Sequence, residues 1–290
     1  MNKHNFLIGF FAILAFAYLI RIIPSQNDNF FFTMDQGNDG VYVREIVERG
    51  QILLKGTSTN IPGVYSGPGW YYFIGLGYKL FGGHPFGGLF MVILLNVFTT
   101  GLLMWQIAKR GSPTFALLMG ISLQFFWFFY DTSRWAFNPF PLVFLSILLV
   151  LLLVGFLEGK KMNYIFGSIP VVLAFNTEVA GAVSLLLFYV VVGLWALATR
   201  RLSLRLSVLI PIAVLLMFLS SLLHDFILTF IRSRVFFGQG GAIGTFAGTN
   251  FGEMFMHFLD ILSRSIVPQS ILASILLLFL VAWLFFKNKR

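Results

Sequence analysis

Residues 163–198, NYIFGSIPVVLAFNTEVAGAVSLLLFYVVVGLWALA, decide how the chain is threaded. As one helix, at ~1.5 Å per residue, they would extend roughly 54 Å, too far for one crossing of ~30 Å of hydrocarbon. Pro170 and the polar Asn176-Thr177-Glu178 interrupt the run, so two shorter helices are expected. Flanking charge agrees. Lys160 and Lys161 precede the stretch, and Arg200 and Arg201 follow it. One crossing would put these pairs on opposite sides, whereas two keep both on the side where basic residues gather.

The same rule threads the rest of the chain. Apolar runs at 6–23, 86–107, 113–130, 139–157, 163–178, 181–198, 206–223 and 269–286 read as eight spans with both termini cytoplasmic. Lys3, Lys109/Arg110, Lys160/Lys161, Arg200/Arg201/Arg205 and Lys287/Lys289/Arg290 then lie inside with one acid, Glu158. That is 11 basic residues against one acid inside, and nine against ten outside, which reproduces the net charge of +9. The positive charge is therefore a topology signal, and nucleic acid is not an expected partner. Composition agrees: 58% of the 290 residues are hydrophobic and 11% charged, with a mean hydropathy of +0.87. Soluble domains run near 25% charged. The fold class expected is an all-α polytopic membrane helix bundle forming one domain over 1–290, in a plasma (inner) membrane.

Phe6 to Ile20, closed by Arg21, reads as a retained signal anchor, because Ala15-Phe16-Ala17 lies inside the apolar run with no polar region before it. Residues 66–82, SGPGWYYFIGLGYKLFG, are also apolar, yet they carry five glycines and Lys79. As a span they would invert every later loop, so an interfacial helix in an outer loop is expected, with Trp70, Tyr71 and Tyr72 as an aromatic belt. Two long outer segments result, 24–85 and 224–268. The chain has no cysteine, which excludes disulfides and thiolate chemistry.

Asp35-Gln36-Gly37-Asn38-Asp39-Gly40 is the most informative outer stretch. It fails as a calcium loop, since Gly37 and Ile46 stand where ligands are needed. Two readings stay open: a solvated loop in which Asn38 or Asp39 caps a helix over Val41–Arg49, or a carboxylate available as a general base. Downstream come Gly50, then Pro62-Gly63-Val64-Tyr65-Ser66-Gly67-Pro68-Gly69-Trp70-Tyr71-Tyr72, then Leu80-Phe81-Gly82-Gly83-His84-Pro85, and later Arg134-Trp135-Ala136-Phe137-Asn138-Pro139.

This ordered set resembles the GT-C class of polyprenyl-phosphate-sugar-dependent membrane glycosyltransferases, especially the protein mannosyltransferase and lipid A aminoarabinose transferase group. The motifs cover residues 5 to about 145, and the remainder agrees by topology. The resemblance implies inverting transfer of a sugar from a polyprenyl-phosphate carrier to a lipid, glycan or protein acceptor at the extracytoplasmic face. It implies that Asp35 is the first-loop acid. Gln36 stands where many members have Glu, which keeps Asp39 as a second candidate base. Eight spans make a short member of that class.

Such chemistry needs cations for the departing phosphate. The candidates are Arg232, Arg234 and Arg264 in the second outer segment, with Arg134 and Lys55. Each also reads as a snorkelling interfacial cation. Glu178, Tyr71 and Tyr72 are further substrate-binding candidates. His224-Asp225 lacks a third ligand, and neither the acids nor the histidines have a spacing that demands a divalent ion. No cofactor is expected, and metal use stays open. Gly238 to Gly252 matches neither a P-loop nor a dinucleotide fingerprint and reads as a flexible loop. Two other classes compete: a transporter or flippase for lipid-linked sugars, against which no internal repeat is visible, and a non-catalytic assembly subunit.

Overall fold

The computed structural model describes residues 2–59 and 65–212. Among the described residues the architecture is all-helical, and the single β feature is one antiparallel bridge between Ser58 and Tyr65. The expected spans at 206–223 and 269–286 lie largely or wholly outside the described residues.

Helix α1 (Lys3–Ile22) starts where Asn2 accepts the Asn5 N–H at 2.8 Å. It continues through a 3₁₀ turn at Ile23–Ser25. Helix α2 (Met34–Arg49) is followed by α3 (Gly69–Leu80), α4 (Phe86–Arg110) and α5 (Pro113–Phe125). Short α6 (Trp127–Asp131) leads to α7 (Pro141–Leu157). Then come α8 (Met162–Phe166), α9 (Ser168–Phe175) and α10 (Val179–Ala198), with a π-helical turn at Arg205–Leu209.

Three helical stretches are long and apolar enough to cross a membrane: Lys3–Ser25, Phe86–Arg110 and Val179–Ala198. Three of the other expected spans are shorter apolar helices, at Pro113–Phe125, Pro141–Leu157 and Met162–Phe175. The expected span 113–130 is divided at Phe126, where the backbone turns extended between α5 and α6.

The stretch that opened the sequence reading does divide at Asn176-Thr177-Glu178. Asn176 ends α9, and the Glu178 side chain caps α10 by accepting the Ala180 N–H at 3.2 Å. Pro170 is a different matter. It sits in the first turn of α9, where no intrahelical N–H bond is missed, and the interruption upstream of α9 falls at Gly167 instead.

Helix α4 is the centre of the bundle, packing against α1, α3, α5 and α7. Its approach to α3 is close enough that a Cβ on Gly77 would lie 1.9 Å from the Gly87 carbonyl oxygen. Helices α7, α9 and α10 share a second core around Leu149, Tyr164, Val171 and Tyr189. Helices α2 and α3 rest on α4 and α7 through Val43, Trp70, Tyr71, Ile74, Val92 and Phe144. Trp70 and Tyr71 are therefore buried core residues, not an aromatic belt facing lipid. Tyr72 remains partly exposed and exchanges 3.0 Å hydrogen bonds with the Leu53 backbone.

Candidate functional site

The site begins with the start of α2. Residues 35–40 are helix rather than loop, which corrects the capping expectation for Asn38 and Asp39. Thr33 is the N-cap, and its backbone N–H donates to the Gln36 side chain at 2.8 Å, one arm of a capping box. Gln36 is thus buried by a structural duty. It frees the face carrying Asp35, Asn38 and Asp39 to turn towards open space. Asp35 and Asp39 stand one helical turn apart, on the same side.

Opposite them sits an interlock between two helix ends. The Gly67 N–H donates to the Phe175 carbonyl at 2.9 Å, and the Trp70 N–H donates to the Asn176 carbonyl at 3.0 Å. The Gly69 N–H donates to Asn176 Oδ1 at 3.0 Å. Unsatisfied donors at the start of α3 thereby meet unsatisfied acceptors at the end of α9. Glycine is needed here because a Cβ on Gly67 would lie 2.3 Å from Asn176 Oδ1. Two motifs separate in sequence, the Gly-Pro-Gly-Trp run and Asn176-Thr177-Glu178, are one joint in space.

The interlock sets Glu178 across from α2. Asn138, buried just before α7, ties the walls together. Its amide donates to the Thr177 carbonyl at 2.9 Å, to Thr57 Oγ1 at 3.3 Å and to Glu178 Oε2 at 3.4 Å. Residues 56–58 pair with 65 and 66, and the Thr57 and Ser66 hydroxyls meet at 2.8 Å. Together these elements enclose an open polar cavity of about 540 Å³, lined by Asp35, Asn38, Asp39, Thr57, Ser58, Thr59, Phe137, Asn138, Pro139 and Glu178. A smaller apolar crevice of about 140 Å³ is lined by Trp70, Phe73, Leu95 and Leu145.

Asp39 is the most perturbed acid of the cavity. It is 4% exposed, and the Trp70 indole donates to its Oδ2 at 2.8 Å. Burial disfavours its charged form and raises its pKa from 3.8 to about 6, partly opposed by the Trp70 and Tyr71 donors. Tyr71, stacked on Tyr42 at 5.5 Å, is pushed upwards in turn by burial and by the neighbouring Asp39 charge. Asp35 is exposed, in the first turn of α2.

Of the residues singled out from sequence, the cavity brings together Asp35, Asp39 and Glu178, with Tyr71 behind Asp39. Lys55 lies over the Tyr65 ring at 5.1 Å, and Arg134 over the Tyr130 ring at 5.5 Å; neither lines the cavity. Arg232, Arg234, Arg264, His224, Asp225 and the 238–252 stretch lie outside the described residues. Thr57, Ser58, Thr59, Asn38 and Asn138 went unnamed as site residues. The polar run at 57–60 and the Asn-Pro step before α7 were the available signals. Among the described residues no cluster of three or more His, Cys, Asp or Glu could hold a metal ion. No protein-family model matches the chain, and no curated protein or solved structure matches it.

Proposed function

We propose that the chain is a membrane glycosyltransferase that moves a sugar from a polyprenyl-phosphate carrier to an acceptor at the extracytoplasmic face of the plasma membrane. The topology proposed with it is eight spans and cytoplasmic termini. The observation that carries the reading is Asp39: a buried carboxyl at the wall of an open polar cavity, oriented by Trp70, with a pKa of about 6. A general base works best when its pKa lies near the working pH, and burial has moved Asp39 towards it.

In the proposed step Asp39 takes the proton of an acceptor hydroxyl as that oxygen bonds to the anomeric carbon. The bond from that carbon to the carrier phosphate breaks on the opposite face, and the polyprenyl phosphate leaves with the electron pair. Inversion follows from the single displacement. Asp35, Asn38, Asn138 and Glu178 supply hydrogen-bonding groups suited to sugar hydroxyls, and the apolar crevice lined by Trp70 suits an isoprenoid tail.

The test is transfer from a polyprenyl-phosphate sugar by Asp39→Asn and Asp35→Asn, each purified in detergent. Loss of a general base lowers turnover by about 10²–10⁴, and that is expected of Asp39→Asn. Asp35→Asn should lose less than about tenfold. Full activity in Asp39→Asn would overturn the mechanism. The transporter alternative asks for a polar site near mid-bilayer. The cavity instead lies among α2, the α6–α7 connection and the α9–α10 turn, all at helix ends.

A further inference from the structure

We infer that a second cavity, between the end of α1 and the start of α4, holds a bilayer phospholipid whose head group carries a primary ammonium, a phosphatidylethanolamine. This cavity measures about 450 Å³ and shares no lining residue with the acid-walled one. It lies where Lys3–Ser25 ends and Phe86–Arg110 begins, two stretches long and apolar enough to cross a membrane. A pocket at that position meets a bilayer at head-group depth.

The floor is aromatic. Tyr18 and Ile22 come from α1, Phe81 from just past α3, and Phe86 and Phe90 from α4. The Phe81 ring stands 5.2 Å from both the Phe86 and the Phe90 rings. Aromatic faces carry the negative end of the ring quadrupole and attract an ammonium. Beyond the floor, exposed Leu94 and Phe98 follow Phe90 on one face of α4, and exposed Phe11 lies two turns before Tyr18 on α1. These side chains give an acyl tail its path along the bundle.

The rim is polar and carries one acid. Gln26, Asn27 and Asp28 line the cavity from the loop after α1, and His84 lines it from the turn before α4. Asp28 Oδ1 lies 3.3 Å from His84 Nε2. The Phe86 N–H donates to His84 Nδ1 at 3.2 Å, which leaves the ring hydrogen on Nε2. Arg44 and Glu48 of α2, which reach the neighbouring Gly83, pair with each other at 3.8 Å. The rim therefore sets a carboxylate acceptor beside an imidazole donor. An ethanolamine head group is the complement, an ammonium two carbons from a phosphate ester. A head group of net negative charge would meet Asp28 with no cation to offset it.

The loop is strained to hold this arrangement. Asn27 and Asp28 are consecutive residues in the left-handed region, at φ +54° and +62°. In the facing turn, Gly82 and Gly83 occupy the same region at φ +62° and +87°. Asn and Asp tolerate it better than most side chains, but glycine would be free of strain. Strained backbone that keeps its side chains marks a place where those side chains are used.

The site stands independently of sugar transfer, and its test is lipid binding to the full chain, read by native mass spectrometry from detergent micelles. The probes are dioleoyl phosphatidylethanolamine, phosphatidylcholine and phosphatidylglycerol, with free O-phosphoethanolamine. Wild type should bind the ethanolamine lipid about tenfold or more tighter than the glycerol lipid, the worth of one charged hydrogen bond. It should also bind it tighter than the choline lipid, whose head group has no N–H to donate. Asp28→Asn should erase the ethanolamine-over-glycerol preference. That preference is a ratio within each variant, so a change in stability does not mimic its loss. Phe81→Leu keeps an apolar floor and should weaken ethanolamine-lipid binding about two- to fivefold, through the lost ring face. No binding, equal binding of the ethanolamine and glycerol lipids by wild type, or a preference that survives Asp28→Asn overturns the site. Choline lipid bound as tightly overturns the primary-ammonium assignment. Free O-phosphoethanolamine bound as tightly as the lipid overturns the bilayer source.

Discussion

Replacing Asp39 by Asn should stabilise the protein at neutral pH while lowering its proposed activity by about 10²–10⁴. Burial raises the Asp39 pKa from 3.8 in an unfolded chain to about 6 in the fold. One pKa unit is worth 1.36 kcal/mol, so holding the carboxylate charged in place costs about 3 kcal/mol of stability at pH 7 and above. The sign follows from proton counts. Between pH ~4 and ~6 the folded chain holds the proton and the unfolded chain has lost it, so stability falls as pH rises through that window. Below it both states are protonated and the penalty vanishes. Asn is neutral throughout, and its amide oxygen can still accept the Trp70 indole. The variant should therefore melt higher than wild type at pH 8, with the gain fading to nothing as pH falls from ~6 to ~4. Thermal unfolding in one detergent, scanned at half-unit pH steps, measures it. A variant less stable at pH 8, or a difference that ignores pH, would refute the assignment of a buried, desolvated carboxylate. Residues kept at the expense of stability are characteristic of function.

Two further outcomes follow from the same geometry. Trp70→Phe removes the donor that opposes the rise in the Asp39 pKa, so the acid limb of the transfer rate should move upwards by about one unit or more; an unmoved or lowered limb counts against Asp39 as base. Gly67→Ala should destabilise by about 1–3 kcal/mol through its clash with Asn176, and adding Asn176→Ala should recover part of that loss, measured as thermal midpoints.

The all-helical class was legible in the long apolar runs, three of which are helices long and apolar enough to cross a membrane, and the α9–α10 division because three polar residues interrupt an apolar run. The start of α2 was not legible. Gly37, Asn38 and Gly40 are poor helix formers, and the eye goes to them before the Thr33–Gln36 capping pair. Tertiary packing overrides their propensity: Gly40 lies against the Tyr78 hydroxyl, and Val43 is wholly buried against α3. Trp70 and Tyr71 misled for a related reason. Aromatic residues beside apolar ones resemble a membrane belt, but Gly75 against Val43 and Val47, and Gly77 against Gly87, bring α2 and α4 over that helix. The acids of the cavity could be named from sequence. Asn138 and Thr57 could not, because their role depends on a joint between segments far apart along the chain.

That joint has a consequence in time. The N–H groups opening α3 find their partners on Asn176, and Gly69 and Asn176 stand 107 residues apart. At ~5–20 residues per second, synthesis takes about 5–20 s to supply that partner after Gly69 itself is made. Until then the carboxylates of α2 face no opposing wall. The cavity is assembled late, by the arrival of a helix end rather than by the segment that carries its acids.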